Sequence, residues 1–418
     1  MKPDPSTRRS LFTLLLGVAA FVTLLTLWVG WALPLVIFAI IFLVMGHEFG
    51  HFITAKRAGM KVTDFFVGFG PVLWSTTIGE TRYGVRAILA GGYVKVPGMS
   101  WTEEIDPADE ARTYRSASYP RKVLFASAGS LMHVVMALIL AFAALVFVGL
   151  PMSSHVGVGG FSKWDGHAKT AAQVAGLKVD DWIVKVDGTR ILSSQQLLTT
   201  VHKLAGQPVT LVVERHGHDV TLHATPVNAQ TLKVNGKVID KKKAPEGLLG
   251  IYLLRLPARQ SWYSAIPGSV GEVGSIIAQA GHAMVHVFSP GEFSSLFHQV
   301  ASPAAATNYH NQLTRPESIV GVVRIAVQST QNGPGSLLLI LMAVNIFVGV
   351  LNMLPMLPLD GGYVAIATYE RLRSRRGVRY HADVNKLAPL VYAFMSVLLV
   401  LFATTLYLDI AHPIANPF

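Results

Sequence analysis

The chain has 418 residues, 51% of them hydrophobic and only 14% charged, where soluble globular proteins carry about a quarter charged residues; an ordinary soluble protein is excluded and a membrane class is expected. The formal net charge of +11 does not point to nucleic acid, because ten Lys or Arg fall between Lys56 and Lys122 and six between Arg371 and Lys386, beside apolar stretches. The absence of cysteine rules out disulfides and thiolate metal sites, so any metal must use His and carboxylate ligands.

In chain order, residues 10–46, 123–160, 325–359 and 387–408 contain no charged side chain, and each run is long enough for a bilayer, which takes about 20 residues. The first is too long for one helix and is interrupted at residues 30–34, so it reads as a hairpin of two helices. One is an added N-terminal helix over 1–32 and the other covers 33–58. A cleaved signal peptide is the alternative for the first 30 residues, but no small-residue cleavage site is evident, which favours retention. With further spans over 121–152, 335–360 and 387–411, the fold class is a polytopic α-helical membrane protein of about five spans. Excess Lys and Arg in short loops marks the cytoplasmic side. Lys2, Arg8, Arg9 and both basic clusters then place the N-terminus, 59–120 and a 361–386 loop there, and the segment of about 180 residues after 151 outside.

Between the second and third spans, 59–120 contains β-rich runs separated by glycines, a hairpin pattern. A membrane-associated β segment of this kind can take an unwound substrate as an added strand, which makes Gly68, Gly70, Gly91 and Gly92 candidate substrate-binding positions. Beyond the third span, Ala171-Ala-Gln-Val-Ala-Gly-Leu177 and the following Asp181-Trp-Ile-Val-Lys-Val-Asp-Gly188 resemble a PDZ domain, an α/β module expected over 153–230. Asp180 stands where that pattern usually has Gly. Residues 231–334 read as a linker, Lys-rich over 230–245, followed by helices at the membrane surface.

The strongest local signal is His47-Glu48-Phe49-Gly50-His51. Residues four apart share a helix face, so both imidazoles can meet one Zn²⁺ while Glu48 sits beside them to polarise water. Random placement of 15 His leaves about 0.5 His-x-x-x-His pairs, and about 0.01 with Glu directly after the first His. His282 and His286 share the spacing without the Glu and read as surface histidines. Two His leave a catalytic zinc one protein ligand short. Asp360 is the only acidic residue at the end of the fourth apolar stretch, where Pro355 and Pro358 break the helix; a simple Asp-Gly turn is its alternative.

These motifs resemble the site-2 protease family, in particular its actinobacterial type with one PDZ domain. The resemblance rests on His47-Glu48-x-x-His51, Asn352-x-x-Pro355-x-x-x-x-Asp360-Gly361 and the PDZ-like insert between them. It extends to Phe65-Phe-Val-Gly-Phe-Gly-Pro71, Gly91-Gly-Tyr-Val-Lys-Val-Pro-Gly-Met99 and Glu317-Ser-Ile-Val-Gly321. It implies zinc held by His47, His51 and Asp360, Glu48 as general base, and Asn352 and Asn345 on the substrate backbone. Polar glue between helices is the other reading of Asn345. Where the family has Gly-Pro-x-x-Asn this chain has Gly129-Ser-Leu-Met-His133, so the substrate role passes to His133 unless that side chain only packs. The resemblance also implies clients that are single-span membrane proteins already cut once, such as anti-sigma factors and remnant signal peptides. It implies a plasma-membrane location among lipid, with the active site towards the cytoplasm and the PDZ-like domain outside, and no nucleic acid partner. A non-catalytic receptor holding client tails through the PDZ-like domain is the alternative function. A metal transporter is disfavoured because the acidic and His residues form no chain through the spans.

Overall fold

The computed structural model describes residues 5–414 apart from 100–102, 152–155, 163, 167, 192–193, 216, 235–236, 239–245, 255–256, 308–310, 312–314 and 375–379. The Lys-rich stretch read at 230–245 therefore lies partly outside the described residues. The chain divides into two compact units, one of residues 1–144 with 261–418 and the other of residues 145–260.

Helix α1, Pro5–Val29, is apolar all round from Phe12 onward, and Phe12, Leu15, Phe21, Leu24 and Trp28 stay exposed, the pattern of a helix whose solvent is lipid. Gly30 (φ +92°) turns the chain into α2, Ala32–Arg57. On α2 the buried residues Val36, Leu43, His47, Gly50, His51 and Ala55 follow the helical repeat and form one face.

Strands β1, Asp64–Ile78, and β2, Thr81–Lys95, are both bent. Residues 64–67 pair with 92–95 on one side and with 82–85 on the other, while 72–78 pairs with 81–86. The result is four short antiparallel segments in which 92–95 is an edge. Gly68 and Gly70 (φ +86° and +81°) lie at the bend of β1, where only glycine adopts the backbone without strain. Helix α3, Tyr119–Ala143, follows, extended to Val148 by a π-helical stretch.

The second unit is built on β3, Val156–Phe161, α4, Ala171–Val174, β4, Trp182–Val186, α5, Ser194–His202, β5, Val209–Arg215, β6, His218–Ala224, and β7, Ile251–Leu254. The strands form an antiparallel sheet in the order β7-β3-β4-β5-β6, over a core that includes Val158, Ile183, Val186, Leu211 and Val213. Asp180 has φ +69°, a conformation that favours Gly but that Asp tolerates better than most residues, which accounts for the glycine usual at that place in the pattern. The neighbouring Asp181 carboxylate accepts from Arg215 Nε at 2.6 Å and tethers β5 to the same turn.

The remaining helices are α6, Trp262–Val287, α7, Pro290–Ala301, α8, Pro303–Ala306, α9, Ile319–Ser329, α10, Pro334–Asn352, α11, Asp360–Arg373, and α12, Ala388–Ala411. Five helices are long and apolar enough to cross a membrane, namely α1, α2, α3, α10 and α12, and the protein is a multi-pass membrane protein. Within 231–334, where the sequence suggests helices at the membrane surface, α6 packs on α3 and α10. There Val273 and Ala280 bury against Ala137, Ala141, Met342 and Ile346. Within 361–386, where the sequence suggests a loop, the residues up to Arg373 belong to α11. The fourth span stops at Asn352, and residues 353–359 turn back before α11 begins at Asp360. A Cβ on Gly361 would run into the Met353 and Leu354 carbonyls, so this turn is closed by glycine.

At the other end of the bundle Arg315 Nη2 donates to Asp409 Oδ1 at 3.0 Å and Asp409 Oδ2 accepts from Ser318 N at 2.7 Å, fastening the start of α9 to the end of α12. Burial, and after it the adjacent Asp409, pushes the Glu317 carboxyl up to about 7.

Candidate metal centre

His47 and His51 lie one turn apart on the buried face of α2, and α3 closes over them. The approach is tight because the crossing residues are small. A Cβ on Gly50 would lie 2.5 Å from the Ala128 carbonyl oxygen, and one on Gly46 would strike the Met136 side chain, so Gly46-x-x-x-Gly50 lets the two backbones meet. On α3, Gly129 is bare against the imidazoles: a Cβ there would lie 2.5 Å from His47 Nδ1 and 2.5 Å from His51 Nε2.

Asp360 reaches the pair from the first turn of α11, a position the helix dipole favours for a carboxylate. His47 Nε2, His51 Nε2 and Asp360 Oδ2 form a triangle with sides of 3.2, 3.3 and 3.2 Å. Tetrahedral zinc with bonds of about 2.0–2.1 Å separates its ligand atoms by about 3.3–3.4 Å, so these three atoms fit one triangular face of that tetrahedron. Asp360 Oδ2 is buried with no hydrogen bond, an orphan that a cation would satisfy. No other group of three or more His or acidic side chains among the described residues comes this close.

The ligand tautomers are prepared as well. His51 Nδ1 is 2.8 Å from the Phe125 carbonyl oxygen. That oxygen can only accept, so Nδ1 carries the proton and Nε2 keeps its lone pair for the metal. His47 Nδ1 has the Gly129 carbonyl within reach, though not in hydrogen-bonding geometry.

Glu48 follows His47 on α2 and faces the hairpin. A Cβ on Gly92 would lie 3.1 Å from Glu48 Cγ and 2.7 Å from Met45 Sδ, and the Val94 backbone N–H points to the Glu48 carboxylate. The edge segment 92–95 thus runs alongside the would-be base. Of the four glycines singled out in the hairpin, Gly92 is the one packed on Glu48. Gly68 and Gly70 shape the bend, and a Cβ on Gly91 would meet the Phe69 ring at 2.7 Å.

His133 is fully buried beside the centre, its ring 5.0 Å from that of His47. Its Nδ1 is 2.7 Å from Asn345 Oδ1, and Asn345 Nδ2 donates to the His133 carbonyl at 2.7 Å. The amide can satisfy both contacts only if Nδ1 holds the proton, which leaves His133 Nε2 as a buried acceptor with no partner. Gly349 makes the room, since a Cβ there would lie 2.9 Å from His133 Cβ. Asn345 therefore joins α10 to α3 as polar glue and reaches the centre only through His133. Asn352 ends α10, half-buried.

Sequence reasoning did not single out Gly129 and Phe125 as parts of the site. The run Ala126, Ala128, Gly129 and Ser130, all buried on α3, is the signal for Gly129, because small residues in a span mark close helix approach. A backbone carbonyl such as that of Phe125 leaves no trace in sequence. Gly129→Ala is expected to destroy metal binding while the protein still inserts and folds, because the added methyl occupies space between the imidazoles. Metal analysis of the purified variant beside its circular dichroism spectrum tests this; one zinc per chain in Gly129→Ala contradicts it.

With this geometry in place, the comparison with known proteins is direct. The profile of peptidase family M50 matches residues 35–399, most of the chain. The chain belongs to peptidase family M50, the family of the site-2 proteases. The zinc metalloprotease Rip1 of Mycobacterium tuberculosis is 32% identical over 401 residues, covering 90% of this chain and 96% of that protein. Rip1 of Mycolicibacterium smegmatis is 28% identical over 414 residues, with 92% and 98% covered. The probable membrane metalloprotease ARASP2, chloroplastic, of Arabidopsis thaliana is 25% identical over 341 residues, with 80% and 70% covered. For this M50 member the matched stretch runs from the second helix into α12 and contains the positions of all three metal-facing side chains.

Proposed function

We propose that this protein is an intramembrane protease that hydrolyses peptide bonds within the transmembrane segments of single-span membrane proteins, after an earlier cut has removed their outer part. It is a zinc metalloprotease, consistent with its family, its relatives and a donor set of two imidazoles and a carboxylate. The observation that carries the intramembrane reading is that two of the three donors lie on α2, a helix of membrane-spanning length packed on α3, and the third follows the turn that ends the span α10, with an open strand edge beside Glu48.

When bound, zinc supplies a Lewis acid that brings the pKa of a water to about 7 and polarises a carbonyl. The remaining work falls to the chain. Glu48 takes the proton from the attacking water and returns it to the departing amide nitrogen. The Phe125 carbonyl orients His51, Gly129 leaves room for both imidazoles, and the Asp360 carboxylate supplies the third donor. A helical client hides its carbonyls, so it must unwind. The edge segment 92–95, unpaired on its outer side among the described residues, offers backbone groups for the unwound chain to add as a strand. His133 Nε2 is positioned to accept a substrate N–H, and Asn352 to steady the backbone.

The antiparallel sheet and two helices of residues 145–260 support a PDZ-like module that restricts access to clients already shortened. The basic clusters favour an orientation with the metal centre towards the cytoplasm and this module outside. Anti-sigma factors and remnant signal peptides are the clients this reading favours. The test is cleavage of a reconstituted single-span substrate, with product termini mapped by mass spectrometry. Cuts inside the apolar segment, stopped by a chelator and restored by zinc, are expected; cuts confined to the flanks, or insensitive to chelation, would refute the proposal.

A further inference from the structure

Helices α2 and α11 carry the three metal-facing atoms, yet they share almost no surface of their own, and each packs on α3. The geometry of the centre is therefore only as exact as the seating of α11 along α3. Close to the start of α3, Lys122 Nζ lies 3.0 Å from Glu370 Oε2, with both side chains more than nine-tenths buried. It is the only ion pair joining these two helices among the described residues. Both partners are held from behind. Glu370 Oε1 accepts the Ala382 N–H at 3.0 Å, and Lys122 Nζ sits 5.5 Å from the centre of the Tyr114 ring.

Beyond Lys122, α3 presents Phe125, whose carbonyl orients His51, and then Gly129, which sits against both imidazoles. Lys122 and Gly129 are two turns apart, about 10 Å along the axis, and Glu370 lies about 15 Å along α11 from Asp360. Neither charge can touch a metal held at the triad. What the pair can do is set register. Apolar ridges between helices tolerate small slips, whereas a desolvated, hydrogen-bonded ion pair is satisfied in one alignment only.

We propose that Lys122 and Glu370 are positioning residues for the metal centre, their ion pair fixing the register of α11 on α3 and with it the place of Asp360 against His47 and His51. This rests on the zinc reading of the triad. It does not concern the chemical step, and neither residue is a ligand.

The test compares the purified full-length protein with Lys122→Met, Glu370→Gln, the double variant Lys122→Met/Glu370→Gln, which removes both charges but keeps the acceptor for the Ala382 N–H, and Lys122→Arg. Three quantities are read: the rate of zinc release to a chelator, the melting temperature, and kcat and KM on a reconstituted substrate. Each single apolar or neutral variant strands a buried charge or its partner, so both melting temperature and zinc retention should fall. The double variant removes both charges, and its melting temperature should recover. Its zinc release should stay faster than that of the wild type, with kcat lowered and KM little changed. Lys122→Arg, which keeps the pair, should retain zinc as wild type does.

If the double variant recovers zinc retention together with melting temperature, the pair is structural only and the proposal is overturned. If the double variant does not fold, Glu370→Asp decides, since it keeps both charges but shortens the reach. Faster zinc release at unchanged melting temperature supports register control, and unchanged release overturns it. Wild-type stoichiometry separates the two levels: a wild type without zinc refutes the reading of the triad, while zinc-loaded wild type with unaltered release in every variant refutes only the positioning role.

Discussion

Glu48→Gln is expected to abolish proteolysis while leaving one zinc per chain. Gln has nearly the volume of Glu, and its side-chain oxygen can still accept the Val94 N–H that faces Glu48, so the packing against Gly92 and Met45 is preserved. What it lacks is a carboxylate able to take a proton from water. A positioned general base contributes about 10²–10⁴ in rate, and turnover in the variant should fall by at least about a hundredfold. Single-turnover cleavage of a reconstituted substrate, measured with metal analysis on the same preparation, tests both halves. Turnover within about tenfold of wild type would remove Glu48 as the base, and loss of zinc would make it a ligand instead.

The second large effect is at Asp360. Asp360→Ala deletes one of the three atoms in a triangle that matches a zinc coordination face, and the two imidazoles alone do not make a catalytic site, which uses three protein ligands. Zinc content should drop to a small fraction of one per chain, with activity lost in parallel. Melting temperature should change less than in a core variant, because the carboxylate oxygen that faces the imidazoles, Oδ2, has no hydrogen-bond donor among the described residues. Metal analysis after dialysis against a weak chelator, compared with thermal unfolding, reads the two separately. Tightly bound stoichiometric zinc in Asp360→Ala would mean that another donor completes the set. His133 Nε2, buried and unpartnered close by, would be the first to examine.

The legibility of the site follows the length scale of each interaction. His47 and His51 are readable because one helix turn brings them together whatever the rest of the chain does. Asp360 lies more than 300 residues from them, and only the chemical requirement for a third donor in an apolar chain without cysteine points to it. The turn over 353–359 and the helix that begins at Asp360 were not legible. Pro355 and Pro358 announce a break, but not that a new helix starts with the acid in its first turn. The pairing of His133 with Asn345, and of Lys122 with Glu370, spans 212 and 248 residues, and no local pattern encodes either partner.

By itself the sequence determined the membrane class, the number of long apolar helices and the chemistry of the His-Glu-x-x-His turn. These depend on composition and on periodicities that a helix expresses within one or two turns. The tertiary structure alone decided which strand edge lies beside Glu48, which glycine clears the space around the imidazoles, and that α3 links the helix with two ligands to the helix with the third. Those outcomes arise from packing between segments far apart in the chain, where steric fit and the pairing of buried polar groups select one arrangement among many that local sequence permits.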